Sequence, residues 1–199
     1  MGALLHQRGL LLLHGSSVAI DGSAVIFLGH KGQGKSTIAS KLYSRGHHFI
    51  SDDHIVFDKD ANSQFSVIPA YPHIKLWEDA IFSTLGKTPD ELHLLHPQLD
   101  KRGYMVSDRF ARKTIPVKQI FVIERGDEIG MIPIAPKDAV IELIRYSYFS
   151  RFGSEFFKGK EADNFFSCID LANHVPIAKL TMPSNLLKLQ DVAGFIESN

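Results

Sequence analysis

The chain has 199 residues and is 44% hydrophobic, so it can bury a substantial core in one domain spanning 1–199. Its formal net charge of zero excludes the broad basic surface of a nucleic-acid binder, and no nucleic-acid partner is expected. Cys168 is the single cysteine, so no intrachain disulfide can form, which suits the cytoplasm; the apolar run ending at Leu13 is too short to cross a membrane.

Leu10 to Leu13 and Val18 to Ile20 read as short strands. Asp21-Gly22 is a tight-turn signal, and Ala24 to Leu28 follows as a buried strand. A glycine-rich loop comes next. Ser36 to Arg45 then carries apolar residues at Ile38, Ala39, Leu42 and Tyr43, one face of a helix that Gly46 can end. Phe49-Ile50 is a short strand running into Asp52-Asp53, and Ile55 to Phe57 with Phe65 to Ile68 forms a hairpin. Helices are expected at Glu78 to Leu85 and after Thr88-Pro89, a cap followed by proline at the first helical position. Lys101 to Thr114 reads as loop. Gln119 to Ile123 and Ile129 to Ile134 read as strands joined by a turn at Glu124 to Asp127. Lys137 to Tyr148 and Glu161 to Asn173 read as helices, and Pro176 to Leu180 as a last strand. Hairpin-linked strands mixed with helices predict an α/β domain with a mixed sheet and flanking helices.

Gly29-His30-Lys31-Gly32-Gln33-Gly34-Lys35-Ser36 fits the P-loop pattern G-x-x-x-x-G-K-[ST] in full. Glycines let the backbone turn tightly and come close to phosphate oxygens. Successive N–H groups then form an anion nest, and the following helix adds its positive N-terminal end. The phosphate-binding set is Gly29, Lys31, Gly32, Gln33, Gly34, Lys35, Ser36 and Thr37, with Lys35 on the β- and γ-phosphates and Ser36 on Mg²⁺. His30 sits at a variable position and is expected to face solvent. No Asn-Lys-x-Asp segment follows, which favours ATP over GTP. A P-loop enzyme also needs an acidic group near the metal, and Asp52-Asp53 ends a strand where such a carboxylate would lie. Two adjacent carboxylates can divide the work, one holding the metal and the other taking a proton from an attacking hydroxyl.

The stretch from His14 to Asp53 resembles the catalytic domain of the bacterial HPr kinase/phosphorylase family. The stations are His14-Gly15, the P-loop with Lys35-Ser36, then Arg45-Gly46-His47, and Asp52-Asp53. The resemblance implies a protein serine kinase with a fold related to phosphoenolpyruvate carboxykinase. It also implies roles: Asp53 as the base toward the acceptor serine, Lys35 and the loop amides on the phosphates, Ser36 on Mg²⁺ with Asp52 supporting the metal, and His14 as a catalytic-site residue. Thr37 stands where the family usually has glutamate. The family's later Glu-Ile-Arg-Gly-Leu-Gly segment is replaced by Tyr71 to Glu78, where Glu78 is a candidate second metal ligand. The chain is also similar to short HPr-kinase-like proteins encoded with lasso-peptide biosynthesis genes, through Leu13 to Gly22 and Tyr71 to Trp77. That likeness implies a peptide or small-protein acceptor carrying a serine.

Phosphoryl transfer needs further positive charge, for which Arg102, Arg109, Arg112 and Lys113 are candidates, Arg109 and Lys113 foremost. Arg145 is expected in a structural ion pair. The ten histidines show no ligand set with zinc spacing. The aromatic run of Tyr146, Tyr148, Phe149, Phe152, Phe156 and Phe157 reads as core plus a homo-oligomer contact. Two other readings of the same P-loop stay open: a small-molecule kinase, and a nucleotide-binding switch that transfers nothing.

Overall fold

The computed structural model describes residues 10–148, 150, 159 and 161–199. Phe149, Phe152, Phe156 and Phe157 of the aromatic run therefore lie outside the described residues.

The chain opens with β1 (Leu12–Leu13), β2 (Gly15–Ile20) and β3 (Ser23–Leu28), and the loop after β3 leads into α1 (Lys35–Ser44). Next come β4 (His48–Asp52), β5 (Ile55–Lys59), β6 (Phe65–Ile68), β7 (His73–Trp77) and α2 (Glu78–Leu85). β8 (His93–His96), β9 (Leu99–Met105), β10 (Ile115–Arg125), β11 (Gly130–Pro133) and α3 (Pro136–Arg145) follow. The described chain closes with α4 (Glu161–His174), β12 (Ile177–Met182) and α5 (Leu189–Glu197).

Nine strands form one mixed sheet, ordered β1-β5-β6-β10-β3-β2-β4, with β12 and β11 joined beside β10. β3, β10 and β12 run parallel, Phe27 facing Phe121 and Phe121 facing Ala178. β2 and β4 continue antiparallel beyond β3. The architecture is thus α/β with a mixed central sheet and flanking helices.

Alternation along β3 shows why both faces are covered. Val25 and Phe27 pack with Ile38, Leu42, Leu189 and Val192 under α1 and α5. Ala24, Ile26 and Leu28 point the other way, toward Leu143, Cys168 and Leu171 of α3 and α4. A strand buried on both faces reads as a near-continuous apolar run, and β3 does from Ala24 to Leu28. Burying a side chain such as Phe27, which is fully inaccessible, stabilises by about 1.5–3 kcal/mol. No described helix is long and apolar enough to cross a membrane.

Three expectations are corrected. Thr88-Pro89 starts only a 3₁₀ turn, Pro89–Glu91, although its capping box forms. Lys101 to Met105 is not loop but part of β9, the middle strand of a separate antiparallel sheet ordered β7-β9-β8. Glu124-Arg125 is not a turn but the end of β10.

Candidate active site

The loop from Gly29 to Gly34 joins β3 to α1, as the motif requires. Gly32 and Gly34 have φ of 86° and 94°, backbone that residues with a Cβ rarely adopt. A Cβ on Gly34 would also meet Arg125 Nη2 at 3.1 Å. Lys35 is 8% exposed, and its Nζ donates to the carbonyls of Gly29 at 2.8 Å and His30 at 3.1 Å. The ammonium thus lies along the inside of its own loop. Gln33 braces the loop instead of facing its hollow, its amide oxygen accepting from the His30 N–H. The cleft beside the loop is lined by Lys31, Gly32, Gly34, Lys35, Ser36 and Thr37 among others, while Gly29 lines an adjoining cleft together with His30.

Asp52 ends β4 and is 9% exposed. Its Oδ1 accepts from Ser36 Oγ at 2.9 Å and from Ser16 Oγ at 2.6 Å, and its Oδ2 accepts from the Lys75 backbone N–H at 3.1 Å. Burial, then the charge of Asp53, pushes its pKa up; the three donors offset part of this. The donor set bears on Mg²⁺. With its oxygens held by protein donors, Asp52 fits as a support behind Ser36. The Ser36 oxygen, which donates its proton to Asp52, keeps lone pairs for a cation. Among the described residues no group of three or more His, Cys, Asp and Glu converges as a metal cage.

Asp53 is set apart from its neighbour by backbone conformation. Its φ is 69°, left-handed for a residue with a Cβ. The register of β4 on β2 slips just before it, between Ser51 and Phe49. The turn sends the Asp53 side chain into the cleft while Asp52 stays in the sheet. Lys75 Nζ donates to Asp53 Oδ2 at 2.6 Å. Burial pushes the Asp53 carboxyl up, but the hydrogen bond and charge of Lys75, with smaller help from His14 and Lys101, outweigh it and hold the pKa below the ordinary carboxylate value. His14 Nδ1 lies 3.0 Å from the Asp53 backbone oxygen and 4.0 Å from Oδ1. A carbonyl only accepts, so His14 Nδ1 carries the proton there. Tyr148 donates to the same carbonyl at 3.3 Å.

The fold therefore brings His14, Lys35, Ser36, Asp52 and Asp53 into one region. It does not bring in the other candidates. Glu78 is turned to Arg102, with Nε to Oε1 at 2.6 Å, so both are engaged away from the cleft. The Arg109 guanidinium lies 4.9 Å over the Tyr43 ring, and Arg112 and Lys113 are exposed elsewhere. Arg145 pairs with Glu142 at 2.8 Å, as expected, yet it also lines the adjoining cleft. His30 is exposed, as expected, and makes an edge contact with Tyr146.

Three further cations at the site come from residues that sequence reasoning missed. Lys75 and Lys101 arrive on β7 and β9, paired strands of the small sheet. Arg125, at the end of β10, donates to the Pro183 carbonyl at 2.9 Å and to the Gly32 carbonyl at 3.3 Å, tying the P-loop to the segment after β12. The only sequence signal for Lys75 was its place in Tyr71 to Trp77; none marked Lys101 or Arg125.

The HPr Serine kinase C-terminal domain family matches residues 9–74. An HPr kinase/phosphorylase of Lactobacillus acidophilus is 43% identical over 58 residues, 29% of this chain and 18% of that protein. An energy-coupling factor transporter ATP-binding protein of Caldanaerobacter subterraneus subsp. tengcongensis is 26% identical over 137 residues, 61% of this chain and 48% of that one. The chain thus spans less than half the length of each of these relatives. The solved Hpr(Ser) kinase/phosphatase from Coxiella burnetii aligns over 94% of both chains with a TM-score of 0.48 and 14% identity.

Proposed function

We propose that this chain, which is HPr-kinase-like through residues 9–74, is an ATP-dependent serine kinase passing the γ-phosphate to a serine of a peptide or small protein. The observation that carries the reading is the place of Asp53. It lines both the cleft of the P-loop and the adjoining cleft, so one carboxylate faces a polyphosphate site and a second binding space. A base between donor and acceptor needs that position.

In this reading the P-loop N–H groups, the positive end of α1 and Lys35 hold the phosphates. Ser36 would hold Mg²⁺ with Asp52 behind it, and the ion would neutralise phosphate charge. The acceptor serine oxygen forms a bond to the γ-phosphorus as the bond to the β,γ-bridging oxygen breaks, and ADP leaves. The serine proton goes to Asp53. Because Lys75 keeps Asp53 ionised and weakly basic, proton transfer comes late, once bond formation has acidified the hydroxyl; a loose transition state suits this order. His14 bonds to the Asp53 main chain and holds the turn that aims the carboxylate. ATP dependence also suits a cytoplasmic enzyme.

The test is transfer from γ-labelled ATP to serine peptides and small proteins by wild type, Asp53→Asn and Lys35→Ala. Asp53→Asn should bind nucleotide and lose transfer by on the order of 10²–10⁴-fold, the range of a general base. Normal transfer by Asp53→Asn would end the base assignment. Labelling of small hydroxyl compounds alone would favour the small-molecule kinase. A nucleotide-dependent change of assembly without any labelling would favour the switch.

A further inference from the structure

The adjoining cleft has an uneven charge. Among the described residues its lining includes four Lys or Arg side chains, Lys31, Lys75, Lys101 and Arg145, against one carboxylate, Asp53. Two of the four are already neutralised: Lys75 by Asp53 at 2.6 Å, and Arg145 by Glu142 at 2.8 Å. Lys31 belongs to the P-loop and would face bound phosphates. Lys101 is left without an acidic partner among the described residues. It is held in place all the same. Lys101 pairs with Trp77 across β9 and β7, and its Nζ lies 5.8 Å from the indole centroid. Both residues line both clefts. Its charge also reaches Asp53, whose acidity it increases.

We infer that Lys101, seated on Trp77, is a specificity residue of the acceptor cleft, and that the cleft takes a serine flanked by acidic side chains. An ammonium fixed over an aromatic face beside the base is matched by a carboxylate one or two residues from the reacting hydroxyl. That carboxylate would form a charge pair with the Lys101 ammonium. A basic flanking residue would meet Lys101 as like charge and be rejected. The inference rests on the kinase reading for the identity of the cleft's occupant, and the experiment separates the two.

Trp77 is the chain's single tryptophan, so its emission reports the cleft without any turnover. The full chain, its P-loop saturated with Mg·ADP, is titrated with two blocked peptides, Gly-Asp-Ser-Asp-Gly and Gly-Asn-Ser-Asn-Gly. The acidic peptide should bind about tenfold more tightly, equivalent to one good charge-assisted contact. Lys101→Gln should bring the two affinities together, and Lys101→Arg should restore most of the preference. Equal affinities in the wild type, or a preference that survives Lys101→Gln, would overturn the inference. So would a Lys101→Gln variant that weakens Mg·ADP binding while leaving the peptide ratio intact, because Lys101 would then serve the nucleotide. Labelling of the same peptides from ATP is scored separately. Acidic preference without labelling defeats the kinase reading alone, and labelling without acidic preference defeats this inference alone.

Discussion

Removing the Ser16 hydroxyl isolates one bond to the buried carboxylate on which the site is built. Ser16 is fully inaccessible and Asp52 is 9% exposed, so water cannot replace the lost donor in Ser16→Ala. The bond is 2.6 Å. A hydrogen bond to a charged group contributes about 1.5–3 kcal/mol, so about 2 kcal/mol should be lost at pH 8. For a domain of this size that lowers Tm by about 4–8 °C. The pH dependence makes the argument sharper. Burial raises the Asp52 pKa above its unfolded value, so the folded state holds this proton the more tightly. Its contribution to stability is therefore greatest at low pH. It is lost as pH rises from the ordinary carboxylate range, about 4, through the raised folded value. Ser16 opposes that loss, because it favours the ionised form. Below the raised pKa the bond is neutral and about half as strong, and the cost of Ser16→Ala should fall to about 1 kcal/mol. Urea unfolding of both proteins at pH 8 and at about pH 4.5 measures the difference directly. An equal cost at both pH values would refute an ionised Asp52 held by Ser16.

Lys35→Ala should weaken Mg·ATP binding by on the order of 100-fold or more, since two charge-assisted bonds are lost; titration calorimetry reads this. Lys75→Met removes the main group holding the Asp53 pKa down, leaving burial to push it up. The acidic limb of the transfer pH profile should move to higher pH, and a limb that does not move would separate Asp53 from the chemistry. Gly32→Ala and Gly34→Ala both force a Cβ into left-handed backbone, at about 1–2 kcal/mol each. Gly32 faces open space while Gly34 faces Arg125 and Met182, so Gly34→Ala should lower Tm further.

What the sequence made legible was local. The P-loop is eight consecutive residues whose glycines serve the loop's own backbone, so no distant partner is needed to read it. β3 was equally plain, because its buried stretch Ala24 to Leu28 is apolar without interruption. β9 was missed for the opposite reason. Of Leu99 to Met105 only Gly103 is buried, so no hydrophobic alternation marks the strand. Gly103 lies under the His73 and His93 rings, where a Cβ would come within 2.5 Å of His93 Nε2, and glycine reads as loop in a sequence. Thr88 caps the turn as expected, and Glu91 completes a capping box with it. The helix still stops, because Leu92 turns into the core and commits the chain to β8. Lys75, Lys101 and Arg125 were invisible as site residues because only the pairing of β7 with β9, and of β10 with β3, carries them to the P-loop.

That dependence on distant pairing also explains how one Asp-Asp dipeptide supplies two different carboxylates. Asp52 ends its strand accepting from two hydroxyls and one backbone amide, and burial raises its pKa. Asp53 turns out of the strand at a φ of 69° and meets an ammonium, so its pKa falls. Environments that drive neighbouring titratable groups apart are how one site assigns separate roles to chemically identical residues. The left-handed turn costs about 1–2 kcal/mol, and the Lys75 pair with the His14 and Tyr148 bonds to the Asp53 carbonyl hold it. Exchanging the two environments is therefore not a matter of two side chains. Without the turn at Asp53, both carboxylates would follow the strand's alternation, and the second would point away from the cleft that the first lies beneath.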